Sequence, residues 1–248
     1  MPNTDIHKNQ KPLQEVLVPQ KEYELLDSGN GRKLERFGDV VLSRPDPQAL
    51  WTPSMSEEKW NEADAYFVRK GNSTEWKLNN KNMPEEWTVN LGDISFWIKP
   101  TSFKHTGVFP EQLSNWKWMS EVISNSKTKE IKVLNLFGYT GGASMACAKA
   151  GAHVTHVDGS KASVGWAKDN AKLSGLEDAP IRFLIDDARA FVAREIRRGN
   201  TYHGIVMDPP SFGYGPTDAP RKIEEHLREL LELVSRGLDK DASLVVLN

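Results

Sequence analysis

Gly138, Gly141 and Gly142 stand in the run Val133-Leu-Asn-Leu-Phe-Gly-Tyr-Thr-Gly-Gly142, ahead of the small-residue stretch Ala143-Ser-Met-Ala-Cys-Ala-Lys-Ala-Gly151. Apolar run, glycine turn and small-residue helix pattern read as strand, tight loop, helix. Glycine takes positive φ and lets backbone approach a ligand, while a new helix offers unpaired N–H groups at its start. The turn is therefore shaped to cradle a nucleotide-like ligand, although a plain βα connection would read the same way.

Three acidic positions follow, each directly after an apolar run. Asp158 comes 20 residues past Gly138, where a carboxylate of a nucleotide site accepts ribose hydroxyls; it also suits the cap of the helix that starts near Ser160. Asp186-Asp187 can cap the next helix or meet an adenine edge. The segment Asp208-Pro-Pro-Ser-Phe-Gly213 ends a further run, and its two prolines stop the ladder and hold a rigid loop. Asp208 or the carbonyls beside it can bind an exocyclic amine or set a general-base geometry. Phe212 offers a face to a planar base, and a simple strand stop is the alternative.

Strands and helices must alternate to bring these groups together. Strands are expected at 131–136, 153–157, 181–185, 202–207 and 243–247, with helices at 141–150, 161–174, 188–198 and 219–237. Five strands alternating with four helices imply a doubly wound parallel sheet with its ligands at the carboxyl ends of the strands. Ahead of it, Pro110 pre-sets a helix whose apolar face is Leu113, Trp116, Met119 (or Trp118), Val122 and Ile123. His105, upstream in an irregular turn, reads more readily as structural than catalytic.

The first hundred residues have a different texture. Residues 1–20 are polar, carry Pro2, Pro12 and Pro19, and read as a loose arm. Short aromatic runs at 23–27, 32–37, 40–42, 65–70, 76–78, 87–89 and 94–98 suggest a small antiparallel β domain or partial barrel. The expected division is 1–20 arm, 21–104 β domain and 105–248 α/β domain. Seven of the eight tryptophans precede residue 120, and a small domain needs large residues to build a core, so packing is favoured over base stacking.

Composition narrows the classes. With 38% hydrophobic and 27% charged residues the chain is globular, and no apolar run approaches the length of a membrane span. A soluble, cytoplasmic protein is expected. Lys and Arg number 32 against 34 acids, so a nucleic-acid partner would need a local basic patch. Cys147 is the single cysteine, which excludes an internal disulfide or a multi-cysteine zinc site.

Asn135-Leu-Phe-Gly-Tyr-Thr-Gly-Gly142, Val157-Asp-Gly-Ser-Lys-Ala162, Asn170-Ala-Lys-Leu-Ser-Gly-Leu176, Asp187-Ala-Arg-Ala-Phe191 and Met207-Asp-Pro-Pro-Ser-Phe212 occur in that order. They resemble the successive motifs of class I S-adenosylmethionine-dependent methyltransferases, most of all the branch with the bacterial 23S rRNA large-subunit cytosine-C5 and guanine-N7 enzymes. Gly107-Val-Phe-Pro-Glu-Gln112 is similar to a segment that precedes the first strand in that branch. The resemblance implies a Rossmann-like fold, S-adenosylmethionine as cofactor, no metal, and an RNA nucleobase as acceptor. It places Gly138, Tyr139, Thr140 and Gly141 around the methionine part, Asp158 on the ribose and Asp187 on the adenine amine. Phe109, Gln112, Phe137, Ser160 and Asn170 join the cofactor set, and Asp208, Pro209, Pro210 and Phe212 face methyl donor and acceptor. Such a site needs little more than alignment, because a sulfonium methyl is already activated.

Two features depart from the pattern. Cytosine-C5 chemistry needs a thiolate, yet Cys147 lies in an Ala/Met context that favours packing. In C5 relatives the nucleophile follows the fifth strand, where this sequence stops, and the family's sheet closes with a further helix and strand pair. The resemblance thus implies a C-terminally incomplete domain, short by about 50 residues. Rival readings are a methyltransferase acting on a protein or small molecule, a noncatalytic RNA-binding relative, and a nicotinamide-dependent oxidoreductase. Against the last, the turn lacks Gly-x-Gly-x-x-Gly spacing.

Overall fold

The computed structural model describes residues 17–71, 73–102, 104–210, 212–214 and 220–248. The expected loose arm lies largely outside them. Five strands build the N-terminal sheet in sequential order: β1 (Tyr23–Gly29), β2 (Arg32–Phe37), β3 (Val40–Pro45), β4 (Ala65–Lys70) and β5 (Ser73–Leu78). The β1–β2 turn is Asn30-Gly31 with φ of 49° and 72°, the doubly positive pair that matches strand twist in a two-residue hairpin. The sheet is antiparallel as expected except where β4 runs parallel to β3. That pairing needs a crossover, supplied by residues 46–64 with helix α1 (Glu57–Asn61), whose Trp60 is buried under the sheet.

A separate hairpin, β6 (Trp87–Leu91) and β7 (Ile94–Ile98), follows. Pro110–Gln112 forms one 3₁₀ turn that runs into α2 (Leu113–Ser124). Leu113, Trp116, Met119 and Ile123 face inward, whereas Trp118 is exposed; the helical spacing resolves the Met119/Trp118 alternative in favour of Met119.

The α/β half runs β8 (Lys132–Leu136), α3 (Gly142–Lys149), β9 (His153–Asp158), α4 (Lys161–Leu173), β10 (Ile181–Ile185), α5 (Ala188–Arg197), β11 (Gly204–Met207), β12 (Phe212–Tyr214), β13 (Pro220–Lys222), α6 (Ile223–Ser235) and β14 (Leu244–Leu247). Its sheet is wholly parallel in the order β10-β9-β8-β11-β14. Chain direction reverses beside β8: β9 lies on one side and β11 on the other. The crevice at their carboxyl ends is the switch point at which such sheets bind ligands.

Side chains of β8 alternate between two cores, as the strand period requires. Val133 joins a cluster with Met119 and Met145 that continues without a break into Phe96, Ile98, Phe37 and Tyr23 of the N-terminal strands. Leu134 and Leu136 join Phe191, Ile205, Met207 and Val234 on the opposite face. The two textures of the sequence thus share one hydrophobic core. Most tryptophans serve packing, with Trp60 and Trp116 buried and Trp76, Trp87 and Trp97 half-buried, while Trp51 and Trp118 remain exposed. Among the described residues no helix is long and apolar enough to cross a membrane.

Candidate active site

The loop between β8 and α3 folds into an alternating left-handed path. Phe137 and Tyr139 have φ of 57° and 48°, and Gly141 has 92°. Left-handed backbone at two bulky aromatic residues is costly and persists only where its surroundings fix it. Two of the glycines, both on the cavity, also make room for interior rings. A Cβ on Gly138 would lie 2.4 Å from His156 Cε1, and one on Gly142 would lie 2.3 Å from Trp116 Cζ2. Only Gly141 of the three has positive φ; the other two make room for interior rings.

Asp158, at the end of β9, holds this loop. Its Oδ2 accepts from the Tyr139 amide at 2.9 Å and its Oδ1 from the Ser160 amide at 2.8 Å. Helix α4 is capped instead by Ser160, whose Oγ accepts from the Ser163 amide at 3.2 Å. Each Asp158 oxygen keeps a lone pair for a further donor. Asp187 is the cap of α5, accepting from the Ala190 amide at 2.8 Å, and its exposed carboxyl retains one oxygen outside that bond. Its neighbour Asp186 pairs with Arg194.

Opposite the loop stands an aromatic wall. Phe109 lies 5.5 Å from the Tyr139 ring and 5.2 Å from His105, while Trp166 closes on Tyr139 at 6.4 Å. Thr140 Oγ1 donates to the Gly107 carbonyl at 2.5 Å, so wall and loop are joined directly. Burial pushes the Tyr139 hydroxyl up to about 12. It also lowers His105 below the ordinary histidine range, with Arg44 adding to the effect. Both rings are therefore neutral at physiological pH.

A cavity between loop and wall is lined by Phe109, Gln112, Phe137, Tyr139 and Thr140, with Asp208 and Asn135 at the β11 and β8 ends. Asp208 keeps an exposed edge, yet desolvation at the cleft, with the nearby charge of Glu111, raises its carboxyl above the ordinary aspartate value. Pro209 and Pro210 follow it outward. Phe212 contributes backbone to β12, but its side chain and Ser211 lie outside the described residues. Asn170 is fully buried, with its amide shared between Thr140 and Trp97; it stands behind the loop and not on the cavity. Ser160 likewise spends its hydroxyl on the helix cap.

Beneath the loop runs a polar chain with no counterpart among the expected site residues. Asn135 Nδ2 donates to Ser144 Oγ at 2.9 Å, and Ser144 meets His156 Nδ1 at 3.0 Å. Burial depresses His156 to about 4, so it is neutral. A histidine inside an apolar strand was the available signal. Cys147 is fully buried on α3, and burial pushes its thiol up to about 12. It packs, as its Ala/Met context suggests, and supplies no thiolate.

These residues suit S-adenosylmethionine. Helix α3 begins without a side-chain cap; the amides of Gly138, Tyr139 and Gly141 are bonded to Val157, Asp158 and Gly138, which leaves the first turn of the helix, with Gly142 and Ala143 on the cavity, to fit a carboxylate. The spare lone pairs of Asp158 fit vicinal hydroxyls, and the aromatic wall fits the carbons flanking the sulfonium.

Comparison with known proteins agrees with this geometry. Residues 58–244 match the family described as S-adenosylmethionine-dependent methyltransferase. A SAM-dependent methyltransferase from Agrobacterium tumefaciens is 44% identical with a TM-score of 0.83, over 89% of this chain and 70% of that one. The ribosomal RNA large subunit methyltransferase K/L of Shewanella baltica is 33% identical over 178 residues, and that of Shewanella amazonensis 36%. In both cases the match takes in 71% of this chain and 23% of the relative, so the chain spans about a quarter of their length. SMU.776, a methyltransferase complexed with SAH, shares the fold at TM-score 0.72 and 21% identity, over 92% of this chain and 62% of that one.

Proposed function

The chain belongs to the S-adenosylmethionine-dependent methyltransferase family, and from that premise we propose that it methylates a nucleobase of RNA, of the large-subunit ribosomal kind. The observation that carries the reading is the meeting, at one switch-point crevice, of the strained loop after β8 with Asp208 at the end of β11, the loop being held from the neighbouring strand tip by Asp158. The RNA acceptor is supported by the names of the relatives and by nothing more specific. An RNA substrate would place the reaction in the cytoplasm.

When bound, the cofactor supplies a methyl group on a positively charged sulfur. The chain's own residues do the rest. The backbone amides of Thr140, Gly142 and Ala143, which line the cavity at the start of α3, would receive the amino-acid carboxylate, and Asp158 would accept the ribose hydroxyls. Asp187 offers its remaining oxygen to the adenine amine. Phe109 and Tyr139 exclude water from one side, while Asp208, rigidly followed by two prolines, sets the distance and charge on the acceptor side. Cys147 takes no part.

The test supplies tritiated S-adenosylmethionine to protein and cell extract, then separates RNA, protein and small molecules. Label is expected in RNA. Label confined to protein or small molecules would move the acceptor, and label in none would overturn the activity.

A further inference from the structure

The open edge of β7 is closed by side chains of a helix. Ser174 Oγ accepts from the Ser95 amide at 3.0 Å and donates to the Ser95 carbonyl at 3.1 Å. Asn170 Oδ1 accepts from the Trp97 amide at 2.9 Å, and Trp166 Nε1 donates to the Trp97 carbonyl at 3.1 Å. Residues 166, 170 and 174 recur every four along α4 and its cap, a step of about 6 Å. Residues 95 and 97 are two apart on a strand, a step of about 6.7 Å. The near match of the two rises lets three side chains satisfy the edge that a neighbouring strand would otherwise pair.

Asn170 does a second thing. Its Nδ2 donates to the Thr140 carbonyl at 3.0 Å, inside the cofactor loop. The amide orientation follows from its partners, because the Trp97 N–H can only donate and the Thr140 carbonyl can only accept. Thr140 sits between two left-handed residues, Tyr139 and Gly141. The Tyr139 amide on one side is held by Asp158, and the Thr140 carbonyl on the other by Asn170. Left-handed backbone at a non-glycine residue is costly, so the loop needs holding from outside.

We propose that Asn170 is a positioning residue for the cofactor loop: it ties Thr140 to the edge of β7 and so makes the N-terminal hairpin part of the scaffold that sets the loop's shape. Asn170 itself does not touch the cofactor. The proposal rests on reading the loop as the S-adenosylmethionine seat, but loop rigidity is measurable without any ligand. A sequence motif alone places this asparagine in the cofactor set; its buried position and two backbone partners assign it a different task.

The test uses the full chain with Asn170→Ala, Asn170→Asp and Ser174→Ala. Three quantities are read: ligand-free amide hydrogen exchange across 137–142, calorimetric Kd for S-adenosylmethionine, and Tm. Ser174→Ala weakens the hairpin edge but leaves Thr140 held, so Tm falls while exchange and Kd stay within about twofold of wild type. Asn170→Ala speeds exchange and weakens binding by about tenfold each. In Asn170→Asp the ionised carboxylate still accepts from Trp97 but repels the Thr140 carbonyl, whereas the protonated acid donates to it. Its exchange and Kd therefore return toward wild type as pH falls from about 8 to about 5.5, a trend that a merely structural role does not produce. If wild type fails to bind S-adenosylmethionine yet Asn170→Ala still frees the loop, the cofactor reading falls and the positioning role stands. The positioning role is overturned if folded Asn170→Ala exchanges like wild type, or if Ser174→Ala loosens the loop as much.

Discussion

Asp158 Oδ2 sits 2.9 Å from the backbone nitrogen of Tyr139, so the acid that ends β9 grips the left-handed residue of the loop that follows β8. The pairing joins the tips of two adjacent strands and leaves the same carboxylate able to accept from a ligand. It explains why an acid belongs at this spacing whether or not ligand is present, and it makes loop shape and ligand binding inseparable at this residue.

The glycine at 138 is expected to be intolerant for an interior reason. Gly138→Ala drives a methyl into the His156 imidazole, and the loss should be about 3 kcal/mol in urea unfolding. Combining it with His156→Ala should recover part of that loss, because the clashing ring is gone. Strictly additive losses in the double variant would contradict this packing account.

His156 predicts a signature in acid. Its pKa is depressed to about 4 by burial, so the native state prefers the neutral ring. That preference is fully present above about 6.5 and is lost as pH falls toward about 4, a change of up to about 3 kcal/mol. His156→Phe keeps a ring beside Phe183 and removes the titration. It should be less stable at pH 7 by about 1 kcal/mol, from the Ser144 hydrogen bond, and the gap should close or reverse near about pH 4.5. Parallel stability profiles of the two proteins would contradict it.

Asp208 carries a raised pKa, so ionisation opposes folding as pH climbs through that raised value. Asp208→Asn removes the penalty and should leave the ligand-free protein at least as stable at neutral pH. The same change removes a negative charge from the acceptor side of the cavity, toward which the methyl on the sulfonium must point. Affinity for S-adenosylmethionine should fall about tenfold relative to that for S-adenosylhomocysteine, whose sulfur is uncharged. Equal losses for both ligands would show that Asp208 does not sense the sulfonium charge.

Cys147→Ala should retain methyl transfer within about twofold, since a buried neutral thiol makes no nucleophile. Stability should drop by about 1 kcal/mol through lost packing. Abolished transfer in a folded variant would restore this cysteine to the chemistry.

Much of the α/β half was legible in its sequence because short apolar strand runs and amphipathic helices leave separate periodicities. Ile181–Ile185 occurs with its expected bounds, and its neighbours are within two residues of theirs. The parallel pairing of β3 with β4 was not legible, since periodicity reports which face is buried and says nothing of which strand lies alongside. The short strands at Phe212–Tyr214 and Pro220–Lys222 were also missed, and helix α6 starts at Ile223, later than its apolar pattern suggested. Within the site, the helix-cap reading of Asp158 falls because Ser160 takes the cap, and the grip of Asp158 on the Tyr139 amide was not legible from spacing. The reasons for Gly138 and Gly142 lie in His156 and Trp116, which no inspection of the loop itself reveals. Asn170 belonged to a recognisable motif, but its task depends on Trp97, far away in sequence.

The central claim is that the loop at 137–141 and Asp158 together form the seat of S-adenosylmethionine. Calorimetric titration of the full chain with S-adenosylmethionine, alongside Asp158→Ala, tests it most directly. One site per chain is predicted for wild type, with affinity reduced at least about thirtyfold in the folded variant. No binding to wild type, or equal binding to both proteins, would contradict the assignment.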